Sequence, residues 1–464
     1  MRRTKIVATL GPSTDDPAVL DAMFSAGVDV VRLNAAHAGP EELAVRLVAV
    51  REAEARCERS VGVLLDLPGP KLRVGEIVPG TRLLAGQSFA LVTSECIGDA
   101  VHACVTYAGL ADDLSVGDRV LIDDGRIELT VTSTSAGRVD TRVEVGAELL
   151  SHKGVNVPDV TLGVEALTPY DRSVLAWAMT NDIDYVGQSF VRCAGDVVAL
   201  RELMTVRTIP IVAKIEKHEA AASLIEIVAA ADAVMVARGD LGVETSPEEV
   251  PVVQRRIIAA ARAAGKPVVI ATQMLESMTH APRPTRAEAS DVANAIFDRA
   301  DAVMLSGETA VGDYPVVVVQ TMARIATTAE EAVAGNGPDT HGATTDIQEA
   351  VSAAVCDLAA DLSLAAVVPV TESGATALAV ARHRPDTPIV AATPTLHTAH
   401  RLTLVWGVRS LVMPFSEDTD TLLDTVATSL RTAGIAEAGE RVAITAGRSA
   451  RVPGATDFIL VREV

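Results

Sequence analysis

Eight short apolar runs, most of them followed by a helical stretch, constrain this chain more than any other feature. They cover residues 6–11, 28–34, 61–67, 184–190, 210–216, 233–242, 267–273 and 301–309. Most are continuous rather than alternating, which is typical of parallel strands buried on both faces. Helices are predicted between them, for example at 247–264 and at 286–299, where Thr285 and Glu288 form a capping-box pattern. Eight such units predict a closed (β/α)8 barrel.

One long segment interrupts the repeat after the third run. Residues 69–163 contain alternating runs separated by Gly, Asp and Ser turns, at 89–93, 119–122, 127–132 and 138–145. A linker at 336–342 precedes five further runs, at 365–371, 388–393, 410–415, 441–447 and 458–461. We therefore predict a TIM barrel at 1–68 and 164–336, an inserted small β-barrel lid at 69–163, and a C-terminal open α/β sheet domain at 337–464, a candidate regulatory domain.

Charge and composition exclude several classes of partner. The 61 Asp and Glu outnumber the 40 Lys and Arg, for a net charge of −21, and aromatics are 3%. We expect no nucleic acid and no anionic membrane as partner. No apolar run is long enough to span a bilayer, and the N-terminal run is too short for a signal peptide. The five scattered cysteines favour a reduced, cytoplasmic setting.

Polar side chains follow the apolar runs at the points where the barrel strands should end. Because the C-terminal ends of barrel strands face the active site, these side chains should converge. A single one is readily explained as a salt bridge or a cap, but the set from at least six strands predicts a functional site. Its members are Arg32, Asn34, Asp66, Lys214, Glu216, Arg238, Asp240, Thr272, Gln273, Ser306 and Glu308.

The residue types at these positions indicate a particular chemistry. Glu216 and Asp240 come from neighbouring strands and suit one hard divalent cation such as Mg²⁺ or Mn²⁺. No His or Cys accompanies them, so zinc is not expected. Lys214 precedes Glu216 by two residues and should point to the same side of the strand. A lysine beside a metal suits stabilisation of phosphoryl oxygens or of an enolate, and the absence of GxxxxGK[ST] excludes a P-loop enzyme.

The motifs resemble those of the pyruvate kinase family, in family order and over essentially the whole chain. They include KIVATLGPS, VVRLNAAHAG, GPKLRVG, LIDDGRIEL, LLSHKGVNVP, VMVARGDLGVE, ATQMLESM and PTRAEASDVANAIFDRADAVMLSGETAVGDYP. The last block is long and highly specific. The resemblance implies a (β/α)8 barrel with a β-barrel lid after its third strand and an α/β C-terminal domain. It also implies phosphoenolpyruvate and ADP/ATP as substrates, and a homotetramer.

The resemblance also implies roles for individual residues. Lys214 would contact the phosphoryl group in transfer, while Glu216 and Asp240 would hold the divalent metal. The substrate carboxylate would be bound by Thr272 and by backbone N–H groups around Arg238, Gly239 and Asp240. Arg32 and Arg73 would contact transferring or nucleotide phosphates. The nucleotide would lie near Asn34, His37 and Lys153, although His37 alone is equally explained as a loop residue. Ser306 and Glu308 would belong to the proton-relay side.

This sequence departs from the family pattern at one place. Two hydroxyl ligands of the family's potassium site are Ala36 and Leu67 here, and a Glu of the pattern is Lys71. The resemblance to members with Lys at this position implies that the ammonium substitutes for K⁺, which predicts that K⁺ is not required. We also expect Lys71 to be able to pair with Asp66. The alternative is a solvated residue at the hinge of the lid.

Other readings remain open at the level of sequence. The loop of Thr371, Ser373, Gly374 and Thr376 could cradle the phosphate of an effector, or could be an ordinary helix cap. A lyase or mutase acting on an enolate, and a non-catalytic metabolite sensor, are alternatives to a kinase. The lid and Lys153 argue against a lyase, which has no nucleotide to cover. Intact Lys214, Glu216 and Asp240 argue against a sensor.

Overall fold

The computed structural model describes residues 2–158, 160–333, 346–416, 418–447 and 456–464. Its strands are β1 (Lys5–Thr9), β2 (Val30–Asn34), β3 (Gly62–Leu67), β4 (Ser88–Val92), β5 (His102–Cys104), β6 (Arg119–Ile122), β7 (Ile127–Ser135), β8 (Arg138–Val145), β9 (Val155–Asn156), β10 (Tyr185–Gln188), β11 (Ile211–Ile215), β12 (Ala233–Ala237), β13 (Val268–Ala271), β14 (Ala302–Leu305), β15 (Ala366–Pro369), β16 (Ile389–Thr393), β17 (Val408–Val412), β18 (Arg441–Gly447) and β19 (Thr456–Glu463). Its helices are α1 (Pro17–Ala26), α2 (Pro40–Cys57), α3 (Leu110–Asp113), α4 (Pro169–Thr180), α5 (Ala194–Glu202), α6 (His218–Ala222), α7 (Leu224–Ala230), α8 (Arg238–Glu244), α9 (Val250–Ala263), α10 (Arg286–Phe297), α11 (Gly307–Ala310), α12 (Pro315–Val333), α13 (Ile347–Asp361), α14 (Ala375–Ala381), α15 (Leu396–Leu402) and α16 (Thr419–Thr432). Two 3₁₀ helices lie at Pro12–Thr14 and Glu276–Thr279.

Eight parallel strands close into a barrel, which confirms the fold predicted from the repeat. Their order is β1-β14-β13-β12-β11-β10-β3-β2, and β1 closes the ring by pairing with both β14 and β2. Every residue of β1, β3, β11 and β12 is buried. Helices cover the outer face of the barrel and inward side chains fill its interior. Neither face of these strands contacts water, so apolar and polar residues do not alternate along them.

Two barrel strands end four or five residues before the ends of the runs that predict them. Runs 233–242 and 301–309 are predicted as strands throughout, but β12 ends at Ala237 and β14 ends at Leu305. The short helices α8 and α11 follow, so Asp240 and Glu308 lie on helical turns beyond the strand ends. Charged side chains inside the barrel wall would be costly to desolvate, whereas a helical turn places them at the rim.

The inserted segment forms a curled six-stranded sheet in the order β5-β4-β8-β7-β6-β9. Its two edges are connected through residues 73–74, because Arg73 bridges Gly154 beside β9 and Val74 bridges Val105 beside β5. The sheet has its own core, which includes Val74, Phe89, Leu129 and Val143. The predicted small β-barrel lid is therefore present.

The C-terminal segment forms the predicted open five-stranded sheet, in the order β17-β16-β15-β18-β19. Only its edge strand β19 is antiparallel, to β18. The predicted linker at 336–342 lies outside the described residues, and the proposed domain boundaries remain predictions. No helix in the described ranges is both long and apolar enough to cross a bilayer.

The C-terminal domain covers the N-terminal ends of the barrel strands. Leu404, which follows α15, is fully buried among the inward-facing barrel residues. Lys5 Nζ at the start of β1 donates to the carbonyl of Val408 at 2.7 Å, and His400 Nε2 lies 2.5 Å from Glu54 Oε1 on α2. Burial lowers the pKa of His400, but the carboxylates of Asp184 and Glu54 outweigh it and raise the pKa to about 9. This end of the barrel is thus closed by ionic contacts, and the opposite end faces the lid.

Candidate active site

Lys214 lies near the C-terminal end of β11 among polar groups from three strand ends. Its Nζ donates to Ser189 Oγ at 2.7 Å and lies 2.9 Å from Glu216 Oε1 and 3.3 Å from Asp66 Oδ1. Only 10% of the Lys214 side chain is exposed. Lys214 and Glu216 point to the same side of the strand, as their spacing predicts. The ammonium is therefore held in one position by two carboxylates and a hydroxyl.

The buried charges of this cluster depend on one another. Burial lowers the pKa of Lys214, but Asp66 and Glu216 outweigh it, so the net shift is upward and the ammonium stays charged. Burial raises the pKa of Asp66, yet Lys214 and Arg32 reverse this and keep the carboxylate ionised. The pKa of Glu216 is raised, first by burial and then by the nearby charge of Asp240, against the opposing effect of Lys214. The positive charge of Lys214 is thus not enough to offset the effects of burial and of Asp240 on the pKa of Glu216.

Arg32 reaches the same cluster from β2. Its Nε donates to Asp66 Oδ2 at 2.7 Å, and its Nη1 donates to Thr9 Oγ1 at 3.2 Å. Asp66 is 2% exposed and contacts both Arg32 and Lys214. One buried carboxylate therefore holds two cations from different strands close together at the rim of the barrel, which is a suitable arrangement for binding phosphate.

Asp240 lies in the first turn of α8, next to the lid. Its Oδ1 accepts a hydrogen bond from Lys71 Nζ at 2.8 Å, and the two side chains remain 25% and 28% exposed. The expectation that Lys71 pairs with Asp66 is wrong, because Asp66 is already occupied by Arg32 and Lys214. Lys71 brings the positive charge of the lid to the carboxylate beside Glu216 instead.

The chain after β13 adopts an uncommon backbone conformation. Thr272 and Gln273 have φ angles of 67° and 54°, in the left-handed region that costs free energy for residues other than glycine. Thr272 Oγ1 accepts from the Gly239 N–H at 2.8 Å, which ties β13 to the first turn of α8. The Arg238 side chain points away from this turn, donating to Asp291 Oδ2 at 2.6 Å and to the Thr272 carbonyl. Only the backbone of Arg238 thus remains for a substrate.

Comparisons with known proteins agree with this arrangement. The family model described as pyruvate kinase, barrel domain, matches residues 1–319, and the one described as pyruvate kinase, alpha/beta domain, matches residues 349–462. The chain belongs to the pyruvate kinase family. A pyruvate kinase of Geobacillus stearothermophilus is 43% identical, covering 100% of this chain and 80% of that protein. One from Methylorubrum extorquens is 42% identical, covering 99% and 97%.

A solved structure agrees as well. The crystal structure of a pyruvate kinase from Cryptosporidium parvum superposes with a TM-score of 0.91 at 30% identity, covering 100% of this chain and 96% of that chain. The fold and the enzyme class implied by the sequence motifs are confirmed by these matches. The roles of individual residues remain predictions.

Ser306 and Glu308, the two residues predicted to belong to the proton-relay side, follow β14. Glu308 is 1% exposed, and its carboxylate accepts from the backbone N–H of Ser306 at 2.7 Å and of Leu275 at 3.2 Å. Glu308 therefore supports the loops after β13 and β14 rather than pointing freely into the site. Ser306 Oγ is buried and has no hydrogen-bond partner among the described residues, so this hydroxyl remains available to a ligand.

The predicted nucleotide residues are spread over both sides of the cleft. Asn34 Oδ1 caps its own loop by accepting from the Ala36 N–H at 3.1 Å, and His37 is exposed. On the lid, Arg73 Nη1 donates to the His152 carbonyl at 2.9 Å, and Lys153 Nζ lies 2.9 Å from Asp123 Oδ1. No contact given by the described residues joins these groups directly.

The C-terminal loop of candidate effector residues is partly occupied by its own contacts. Thr371 Oγ1 accepts from the Gly374 N–H at 2.9 Å, and Gly374 has a φ of 91°. Thr376 is buried, and its hydroxyl is hydrogen-bonded to that of Thr456 at 2.7 Å. Ser373 Oγ accepts from the Ala375 N–H at 3.4 Å. Thr371 and Ser373 are therefore bonded to backbone N–H groups of their own loop, whereas Thr376 bonds to β19, and an effector would have to replace some of these bonds.

Sequence reasoning missed four residues that the fold brings to this region. Ser189 contacts Lys214, and Lys217, Glu244 and Asn156 meet where the lid joins the barrel. Ser189 lies near the end of the predicted run 184–190 and could have been found by the same rule as the other strand-end residues. The other three gave no periodic signal, because their contact depends on how the lid lies against the barrel.

Proposed function

We propose that this chain transfers the phosphoryl group of phosphoenolpyruvate to ADP, giving pyruvate and ATP, with Mg²⁺ or Mn²⁺ as the divalent metal. The observation that supports this proposal is the position of the Lys214 ammonium, which is held between Asp66 and Glu216 at the barrel rim. In this reaction the bond between phosphorus and the enol oxygen breaks, and a bond to a terminal oxygen of ADP forms. The enolate then takes a proton at carbon.

The proposed role of Lys214 follows from the position of its charge. Phosphoryl transfer needs little covalent help from the protein and depends on positioning and charge stabilisation. The Lys214 ammonium is 10% exposed and is already held by Asp66 and Ser189. It therefore loses little conformational freedom when it contacts phosphoryl oxygens. Arg32, held by the same Asp66, would contact the phosphate from β2.

Glu216 and Asp240 are the residues that would hold the divalent metal, on which pyruvate kinases depend in general. The donor set fits, because both groups are carboxylates and Asp240 raises the pKa of Glu216, so a cation shared by both would relieve their repulsion. When bound, the ion supplies neutralising charge to phosphate and enol oxygens.

The remaining roles follow the loops after the strands. The first turn of α8 and Thr272 would bind the substrate carboxylate through N–H and hydroxyl groups, for which the Gly239 N–H and the Thr272 hydroxyl would give up the bond that now joins them. Ser306 would take part in proton delivery, and Glu308 would keep its loop in place. Asn34, His37, Arg73 and Lys153 would contact the nucleotide once the lid and the barrel approach each other.

A coupled assay with phosphoenolpyruvate, ADP and Mg²⁺ tests the proposed reaction. Formation of pyruvate and ATP supports it. Consumption of phosphoenolpyruvate without ATP would favour a lyase or mutase instead, and binding without turnover would favour a metabolite sensor.

We expect catalysis to proceed without K⁺. Ala36 and Leu67 offer no side-chain oxygen, and Lys71 already places an ammonium 2.8 Å from Asp240 Oδ1. At about 4 Å and an effective dielectric constant near 20, two unit charges interact by roughly 4 kcal/mol, so the fixed charge matters. The rate should be nearly equal in potassium buffer and in tetramethylammonium buffer. Lys71→Glu should be severely impaired and poorly rescued by K⁺; a large stimulation of the parental enzyme by K⁺ would contradict this role.

An effector phosphate at Thr371, Ser373, Gly374 and Thr376 remains a proposal with a direct test. A sugar phosphate or AMP bound there should shift the response to phosphoenolpyruvate, because it would compete for hydroxyls that now bond within the loop and to β19. Activity is measured against phosphoenolpyruvate concentration with and without each compound, in the parental chain and in Ser373→Ala. Unchanged curves with every compound would refute regulation through this loop.

Assembly and location are proposed from the family and from composition. We propose a homotetramer, which light scattering coupled to size exclusion would test. We propose a cytoplasmic location, which the five free cysteines support.

A further inference from the structure

Lid and barrel meet at a buried cluster of three side chains outside the proposed catalytic residues. Asn156 lies on β9, by which the chain returns from the lid, and its Nδ2 donates to Glu244 Oε1 at 2.8 Å. Lys217, which follows β11, donates from Nζ to Glu244 Oε2 at 3.0 Å. The relative exposures are 5% for Asn156 and 1% for Glu244. Glu244 therefore uses one oxygen for the lid and the other for the barrel.

The position of Glu244 connects this cluster to the proposed metal ligands. Glu244 is the last residue of α8 and follows Asp240 by four positions, so both carboxylates lie on the same face of that helix. Asp240 accepts from lid residue Lys71, on the outgoing connection, while Glu244 accepts from Asn156, on the returning one. Lys217 directly follows Glu216. One face of α8 is thus bonded to both chain segments that connect the lid to the barrel. Through Lys217, the same face is also bonded to the segment that carries Glu216.

From this geometry we infer that Asn156 and Glu244 are positioning residues that couple the position of the lid on the barrel to the placement of Glu216 and Asp240. This inference rests on the proposed metal-binding role of those two carboxylates. A hydrogen bond to a buried carboxylate is stronger than one between neutral groups, so the Asn156–Glu244 bond holds β9 of the lid against α8 of the barrel.

The same cluster also contains a group that is not satisfied. Asn156 Oδ1 is buried and has no hydrogen-bond partner within the described part of the chain. An unpaired buried acceptor destabilises the state that contains it. A cavity of about 30 Å³, lined in part by Asn156, Lys217 and Glu244, adjoins the contact. The contact between lid and barrel is therefore neither fully hydrogen-bonded nor fully packed.

Three variants test the pair, and their results are expected in a fixed order. Asn156→Ala removes the lid half of the bond and should lower kcat/KM for phosphoenolpyruvate and ADP about tenfold, with some loss in Tm because one oxygen of buried Glu244 loses its donor. Asn156→Asp places a second carboxylate against Glu244 and should be worse. The exchange Asn156→Asp with Glu244→Gln restores a donor facing an acceptor and keeps one buried anion near Lys217, so it should recover most of the loss.

Hydrogen exchange of the substrate-free protein supplies a readout that does not depend on turnover. Amides of β9 and α8 should exchange faster in Asn156→Ala and return toward the parental rate in the exchanged pair. Asn181→Ala is the matched control, because this amide donates to the Trp177 carbonyl within the barrel and is remote from the lid contact. It should leave both kcat/KM and lid exchange unchanged.

The outcomes separate this inference from the proposed reaction. If the parental chain shows no kinase activity, the reaction fails, while hydrogen exchange still decides whether the pair holds the lid. The inference is overturned if Asn156→Ala changes neither lid exchange nor kcat/KM, or if the exchanged pair is no better than Asn156→Asp alone.

Discussion

Replacing Lys214 with methionine is expected to lower kcat by about 100- to 1,000-fold, the usual loss when one preorganised group that stabilises transition-state charge is removed. Methionine fills a similar volume but carries no charge, so the phosphoryl oxygens lose the ammonium that Asp66 and Glu216 hold in place. Since this charge is needed most when the phosphoryl group is in transfer, kcat should fall more than the affinity for phosphoenolpyruvate. Steady-state kinetics with both substrates measures the difference.

The control for this experiment must separate charge from stability. Removing Lys214 leaves Glu216 without its nearest cation, and breaking a buried pair destabilises folds by about 3–5 kcal/mol. Lys266→Met is a matched variant, because Lys266 Nζ donates only to carbonyls before β12, at the far end of the barrel. It should lower Tm while leaving kcat unchanged. A Lys214→Met enzyme whose loss lies only in KM would contradict the role.

Loss of either proposed metal ligand is the second large effect expected. Glu216→Gln and Asp240→Asn should each reduce turnover by more than about 100-fold, because a bound metal ion supplies several kcal/mol of charge stabilisation. Each amide is a weaker ligand than the carboxylate it replaces, so higher metal concentrations should be required. Excess chelator should stop the parental enzyme, and activity should return with Mg²⁺ or Mn²⁺.

Binding of Mn²⁺, followed by electron paramagnetic resonance without substrates, gives a measurement independent of turnover. Asp232→Asn is the matched control, since Asp232 precedes the same strand β12 at its opposite end and pairs with Arg201 at 2.9 Å. It should bind Mn²⁺ as tightly as the parental chain. Full activity in excess chelator, or unchanged Mn²⁺ binding in both ligand variants, would rule out this metal site.

Local patterns in the sequence predicted the parts of the site that lie on single strands or single helix ends. Lys214 and Glu216 share a side because strand side chains alternate, and their atoms lie 2.9 Å apart. Thr285 caps α10 through the predicted box, in which its hydroxyl accepts from the Glu288 N–H at 3.2 Å. Both outcomes depend on residues two or three positions apart, where backbone geometry leaves few alternatives.

Contacts between distant segments were predicted less well. Lys71 pairs with Asp240, 169 residues away, rather than with Asp66. The Arg238 guanidinium turns to Asp291 on α10 instead of facing the substrate turn. For Lys71, the oxygens of Asp66 are already bonded to Arg32 and Lys214, so the choice of partner is a property of the assembled site.

The sequence by itself determined the eight-stranded barrel, the lid inserted after its third strand, and the convergence of polar residues at one rim, because burial on both faces forces continuous apolar runs that end where the chain meets water. Only the tertiary structure decided the partners of Lys71 and Arg238 and the meeting of Asn156, Lys217 and Glu244. These depend on the angle at which the lid lies over the barrel. The hydrogen bonds that join lid and barrel link segments far apart in the chain, and such contacts leave no periodic pattern in the sequence.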